Sequence, residues 1–64
     1  MPITRQSAKK ILKESGATRV SDSAADEFAE IVNRFAYSVA KKAVKLSLHA
    51  KRATVKKDDI ELAS

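Results

Sequence analysis

Cysteine is absent from this 64-residue chain, and glycine, proline and histidine occur once each. Without cysteine there is no disulfide, and the lone His49 has no companions to form a metal site, so two usual supports of a small scaffold are missing. A fold of this length makes at most one domain, here residues 1–64, and buries only about 60% of the surface that its unfolded chain exposes. Oligomerisation is the support that remains. The single glycine excludes a glycine-rich phosphate loop. One histidine, no cysteine and no HExxH string leave nothing from which to assemble a nucleophile or a metal-activated water. No catalytic residue, cofactor, metal or small-molecule substrate is expected, and the chain does not read as an enzyme. It also lacks an apolar run of membrane-spanning length, and its N-terminus has neither the apolar stretch nor the cleavage pattern of a signal peptide. The expectation is a soluble, intracellular protein with no membrane partner.

Acidic residues are scarce in the second half. Residues 1–32 carry Arg5, Lys9, Lys10, Lys13 and Arg19 against Glu14, Asp22, Asp26, Glu27 and Glu30, which cancel. Residues 33–64 carry Arg34, Lys41, Lys42, Lys45, Lys51, Arg52, Lys56 and Lys57 against Asp58, Asp59 and Glu61, so the whole net charge of +5 lies there. Such an imbalance favours a polyanionic partner, most often nucleic acid, although an anionic membrane surface is also attracted. A purely solubilising charge is the plain alternative.

What is present is a helical pattern. Thr4 suits the cap of a first helix running to about Glu14 or Ser15, with Ala8, Ile11 and Leu12 on one narrow apolar face. Gly16 stands where a helix end needs a left-handed residue. Ser21, Asp22 and Ser23 all suit a second cap, and Ser23 with Asp26 fits the capping-box spacing. From about Asp22 to His49 the residues Ala25, Phe28, Ala29, Val32, Phe35, Ala36, Val39, Ala43, Leu46 and Ala50 repeat at helical spacing. A second row of Ile31, Tyr37, Ala40, Val44 and Leu48 widens the apolar face. Lys56 to Ala63 make a short third helix with Asp58 and Asp59 in its first turn, where carboxylates suit the positive end of the dipole.

Length decides what can cover that central face. A helix from Asp22 to His49 spans on the order of 40 Å, whereas the flanking helices span roughly 16 and 12 Å. They are too short to cover it, so a second long helix must cross it. The alternation of Ala29, Ala36, Ala40 and Ala43 with Val32, Phe35 and Val39 allows close approach and interdigitation. The reading is an all-α homodimer whose central helices cross antiparallel near Ala36, with Phe28, Val32, Phe35, Ala36, Val39 and Ala43 as its core. A monomeric hairpin or three-helix bundle is the alternative, and the short outer helices argue against it. In such a dimer the Arg19 turn of one chain lies beside the Arg52 turn of the other. Thr18-Arg19-Val20 and Ala53-Thr54-Val55 are β-prone strings able to pair as a minimal ladder. That gathers Arg19, Lys51, Arg52, Thr54 and Lys56 at each end, suited to phosphate oxygens.

The string Gly16-Ala17-Thr18-Arg19-Val20-Ser21-Asp22, the long helix, and the fifteen residues from His49 to Ala63 (HAKRATVKKDDIELA) together resemble the archaeal histones. The resemblance covers essentially the whole chain. It implies the histone fold: two copies in a head-to-tail handshake that bind, bend and wrap double-stranded DNA with little base specificity, as a chromosome-associated protein of the cytoplasm. It implies that Arg19 enters the minor groove, where arginine favours narrow A·T-rich stretches, steadied by Thr54 of the other chain. Lys10, Lys13 and Lys56 match basic positions near the phosphates, and Arg52 with Asp59 matches an intrachain ion pair that fixes the second loop. Leu46, His49, Asp59 and Leu62 match the surface by which dimers meet, with His49 facing a neighbour's Asp59. Gly16 matches the small residue at which successive turns of the superhelix stack.

Several residues keep a second reading. Lys41, Lys42 and Lys45 also fit the bare polar face of the central helix, and His49 fits a hydrogen-bonded core histidine. Glu30 and Arg34 fit either a contact between stacked layers or an intrahelical pair. Against typical members, Ala53 stands where many carry lysine, and the third helix is short and lacks the basic tail, changes that weaken the expected affinity or assembly. The rival class is a histone-fold subunit completed by a different chain, with incidental charge. A basic helix lying on a membrane needs apolar anchors opposite its lysines, and Phe28, Phe35 and Val39 belong to the core instead.

Overall fold

A computed structural model describes residues 2–64. It contains three helices, α1 (Arg5–Glu14), α2 (Asp22–His49) and α3 (Lys57–Ala63), with no strand among the described residues. The chain divides into two compact units, Met1–Arg34 and Phe35–Ser64, and α2 contributes to both.

In the first unit, Thr4 caps α1 by accepting the backbone N–H of Ser7 at 3.2 Å. The helix ends in a Schellman turn: Gly16 N–H donates to Lys13 O at 3.0 Å and Ala17 N–H to Leu12 O at 3.1 Å. That closure places Gly16 at a φ of 119°, where a Cβ is disfavoured. Helix α2 begins within the expected Ser21–Ser23 group. Its cap is Ser21, whose Oγ accepts the N–H of Ala24 at 3.1 Å. The Ser23–Asp26 capping box does not form, since Ser23 already lies inside α2; the Asp26 carboxylate is engaged instead by Arg5 at 2.8 Å through both its oxygens. The core of this unit is Ala8, Ala25 and Ala29, with Ile3, Val20 and Phe28 packed around it. Ala25 and Ala29, assigned by periodicity to the row facing a second long helix, are therefore already covered by their own chain.

Charge and amide groups hold α1 to α2 within this unit. Arg5 and Lys9, one turn apart on α1, meet Asp26 and Asp22, one turn apart on α2, with Lys9–Asp22 at 2.6 Å and Arg5–Asp22 at 3.5 Å. The segment before α1 is held by Asn33. Its Oδ1 accepts the N–H of Ile3 at 2.8 Å and its Nδ2 donates to the Ile3 carbonyl at 3.0 Å, a pairing that copies one rung of a β-ladder.

In the second unit, Ala43, Ser47, Asp59 and Ala63 are buried. The buried Ser47 hydroxyl is satisfied within its own helix, its Oγ donating to the Val44 carbonyl at 2.8 Å. Helix α3 begins at Lys57 rather than Lys56, which is its cap residue. Asp59 accepts the N–H of Lys56 at 2.8 Å, one half of a capping box. A lysine side chain has no acceptor to supply the other half.

Among the described residues, every buried hydrophobic residue of the isolated chain is an alanine. The large apolar side chains stay open, Phe35 at 65%, Leu48 at 64% and Leu62 at 76% exposure. Of the expected dimer core, Phe28, Val32 and Val39 are half-buried and Phe35 and Ala36 exposed. Ala43 is different: at 1% exposure its methyl group is already enclosed by its own chain, and it has no surface left to offer a partner.

Candidate functional site

The chain carries thirteen lysines and arginines, and neighbouring carboxylates sort them. Arg5, Lys9, Arg34, Arg52 and Lys57 stand within 4 Å of an acidic group, the last loosely at 3.9 Å from Glu61. Among the described residues the other eight have no such partner: Lys10, Lys13, Arg19, Lys41, Lys42, Lys45, Lys51 and Lys56. All eight are exposed. Of the basic residues singled out from the sequence for phosphate contact, Lys10, Lys13, Arg19, Lys51 and Lys56 fall in this unneutralised group, whereas Arg52 does not, being paired with Asp59.

The first loop, residues 15–21, leaves α1 through the Gly16 turn and enters α2 through the Ser21 cap. Thr18 and Arg19 are exposed between these fixed ends, while Val20 packs against the alanine core. Arg19 is thus an exposed cation on an anchored backbone. Asp22 and Asp26, at the start of α2, are occupied by Lys9 and Arg5. Those contacts lower both carboxyl groups below their ordinary range, Asp22 chiefly through its bond from Lys9 and Asp26 through its bond from Arg5, whose own pKa is raised by the Asp26 bond.

The second loop, residues 50–56, is fixed from within. Arg52 donates to both Asp59 oxygens at 2.9 Å and to the Thr54 carbonyl at 3.0 Å. This bidentate contact, with the N–H of Lys56, holds the Asp59 carboxyl at about 2, below the usual 3.8. The same contact raises the Arg52 pKa. Arg52 is therefore spent on structure and leaves Thr54, Lys51 and Lys56 facing outward. The sequence-expected pair Arg52 and Asp59 is brought together. Asp59 is also nearly enclosed, its side chain 7% exposed, with two bonds on Oδ2 and one on Oδ1. Room for one further donor remains on Oδ1.

Of the remaining expected contacts, Leu62 and His49 are exposed and Leu46 is half-buried. Glu30 and Arg34 form the intrahelical pair at 3.0 Å, both largely exposed. Lys41 and Lys45 flank an open hollow with Tyr37, Ala40 and Val44. Sequence reasoning missed two positioning groups. Asn33 gave no periodic signal beyond being a polar residue beside the apolar row. The Arg5/Lys9 and Asp22/Asp26 tie was legible in principle as two oppositely charged pairs, each at helical spacing.

Among the described residues no group of three acids or histidines gathers as a metal site, and no helix is long and apolar enough to cross a membrane. The model of the family described as histone-like transcription factor (CBF/NF-Y) and archaeal histone matches residues 1–63. A protein of Methanocaldococcus jannaschii named "Probable archaeal histone 3" is 48% identical over 54 residues, covering 84% of this chain and 81% of its own length. A Thermococcus zilligii protein, named as one subunit of the archaeal histone HAN1, is 43% identical over 54 residues, with the same coverage.

Proposed function

Since the chain belongs to the family of histone-like transcription factors and archaeal histones, we propose that it is a DNA-compacting histone that acts as a homodimer. The observation that carries this reading is the sorting of charge. Acidic residues neutralise the cations that join helices, whereas Lys10, Lys13, Arg19 and Lys56 are left exposed without a carboxylate partner. The open Phe35, Leu48 and Leu62 side chains support a second copy, because a chain whose buried apolar side chains among the described residues are all alanines leaves a large apolar area in water.

The handshake of the family sets the first loop of one copy beside the second loop of the other. Arg19 then lies next to the partner copy's second loop, with its exposed threonine and lysine, and the pair grips the backbone where the minor groove faces the protein. Lys10 and Lys13 reach the phosphates from α1. These contacts involve phosphate and groove width rather than base edges, so duplexes of unrelated sequence bind alike and are bent. Further dimers join through Leu46, His49, Asp59 and Leu62, with His49 facing Asp59 of a neighbouring copy, and Gly16 allows successive turns to stack.

The test is Arg19→Ala. It weakens binding to all duplexes, reduces any A·T preference and leaves helical content unchanged. Loss of helical content, or binding that stays as tight as before, overturns the role given to Arg19. A second reading is one component of a heteromeric assembly, favoured by the word "subunit" in the name of the Thermococcus zilligii relative. In that case the purified chain alone aggregates or stays unfolded.

A further inference from the structure

The two loops begin with the same backbone device but not with the same residue. At the end of α1, Gly16 N–H bonds to Lys13 O and Ala17 N–H to Leu12 O. At the end of α2, Lys51 N–H bonds to Leu48 O at 2.9 Å and Arg52 N–H to Ser47 O at 2.9 Å. Both are Schellman closures, and in both the residue that reverses the chain has positive φ. In the first turn it is glycine at 119°, and in the second it is Lys51 at 58°, the one non-glycine residue with positive φ among the described residues.

Crowding does not select glycine in the first turn, because a Cβ added at Gly16 meets nothing within 4 Å. The backbone conformation selects it. The same conformation class acts against lysine in the second turn, since a Cβ in the left-handed well crowds the following carbonyl. A lysine kept at such a position needs a reason in its side chain. No ion pair within the chain supplies one, for Lys51 is exposed and has no carboxylate within 4 Å among the described residues. Its neighbour Arg52 is turned inward onto Asp59 and the Thr54 carbonyl. The outward-facing cations of this loop are thus Lys51 and Lys56.

We propose that Lys51 grips a DNA phosphate, and that backbone strain at the end of α2 is tolerated to keep a cation there. The inference rests on the DNA-binding reading above and adds a contact to it. In a homodimer it adds two contacts, one at each end. Helix α2 also ends here, and a lysine at a helix C-terminus interacts favourably with the dipole and last carbonyls. That is the competing explanation, and it predicts a different result.

The experiment compares the wild-type chain with Lys51→Gly, Lys51→Gln and Lys51→Arg in two assays, thermal unfolding and binding to one duplex across a range of salt. Each lost phosphate contact flattens the slope of log affinity on log salt by about 0.9, so either neutral variant flattens it by about 1.8 per dimer. Between 50 mM and 200 mM salt that variant loses about tenfold less affinity than the wild type does. The inference expects this flattening in both neutral variants, a wild-type slope with Lys51→Arg, and a raised unfolding midpoint with Lys51→Gly. Unchanged slopes overturn it. If Lys51→Gln lowers the midpoint without changing the slope, the lysine serves the helix end and the inference is again overturned. A wild-type protein with no salt-dependent binding sinks the DNA-binding reading itself, and this inference with it.

Discussion

Removal of the Asn33 amide tests how the segment before α1 is held. Asn33 makes two bonds to one residue, accepting Ile3 N–H at 2.8 Å and donating to Ile3 C=O at 3.0 Å. Both are part-buried, and each such bond contributes about 0.5–1.5 kcal/mol net, so Asn33→Ala costs about 2 kcal/mol. For a domain of this size 1 kcal/mol corresponds to about 4–8 °C, which places the variant's melting temperature about 8–16 °C below wild type. Asn33→Asp separates the two bonds. A carboxylate still accepts from Ile3 N–H but gives the Ile3 carbonyl no donor, so it loses about half as much near neutral pH. Protonation restores a donor, so the gap between Asn33→Asp and wild type narrows in acid while that of Asn33→Ala does not. Thermal unfolding followed by circular dichroism at two pH values measures both effects. An Asn33→Ala variant melting within about 2 °C of wild type, or an aspartate variant no better than alanine at any pH, refutes the reasoning.

Three further outcomes follow from the same geometry. The Asp59 carboxyl titrates at about 2 rather than 3.8. A group whose pKa is depressed by folding adds stability that is complete above its ordinary value and disappears as pH falls through the native one. The carbon resonance of Asp59 therefore has its midpoint near 2 in the wild type and moves upward in Arg52→Met; equal midpoints count against the pairing. Phe35→Glu places a charge at a residue that is 65% exposed in a single chain, so sedimentation finds the wild type at about twice 7.0 kDa and the variant at 7.0 kDa. A variant that stays dimeric removes Phe35 from the seam. Nuclease digestion of reconstituted complexes yields protected fragments rising in steps near about 30 base pairs, roughly three helical turns, and fragments of no regular spacing contradict dimer-by-dimer wrapping.

The helices were legible because their ends carry strong local signals. Thr4, Gly16 and the acidic first turn of α3 each act on the nearest backbone groups, and the structure places them at helix ends. The start of α2 was legible to within Ser21–Ser23, and the structure makes Ser21 the cap; two serines of the same chemistry left the choice between them open in the sequence. Periodicity identified apolar positions without revealing what covers each. Ala25, Ala29 and Ala43 share a face with Phe35 in the sequence pattern, yet the alanines are enclosed by their own chain and Phe35 is not. Among the basic residues, type alone could not distinguish Lys9, bound to Asp22, from its neighbour Lys10, which is unpaired. The cost of positive φ at Lys51 was equally invisible, since no composition or spacing signal marks a lysine that reverses the chain.

The central claim is that the unpaired cations of two copies together hold the phosphates of duplex DNA. The most direct measurement is the affinity of the purified chain for one duplex as a function of salt. With Lys10, Lys13, Arg19 and Lys56 from both copies, about eight phosphates are contacted, and log affinity falls on log salt with a slope near −7, steepening toward about −9 when Lys51 is counted. An affinity that stays level between low and moderate salt contradicts the account.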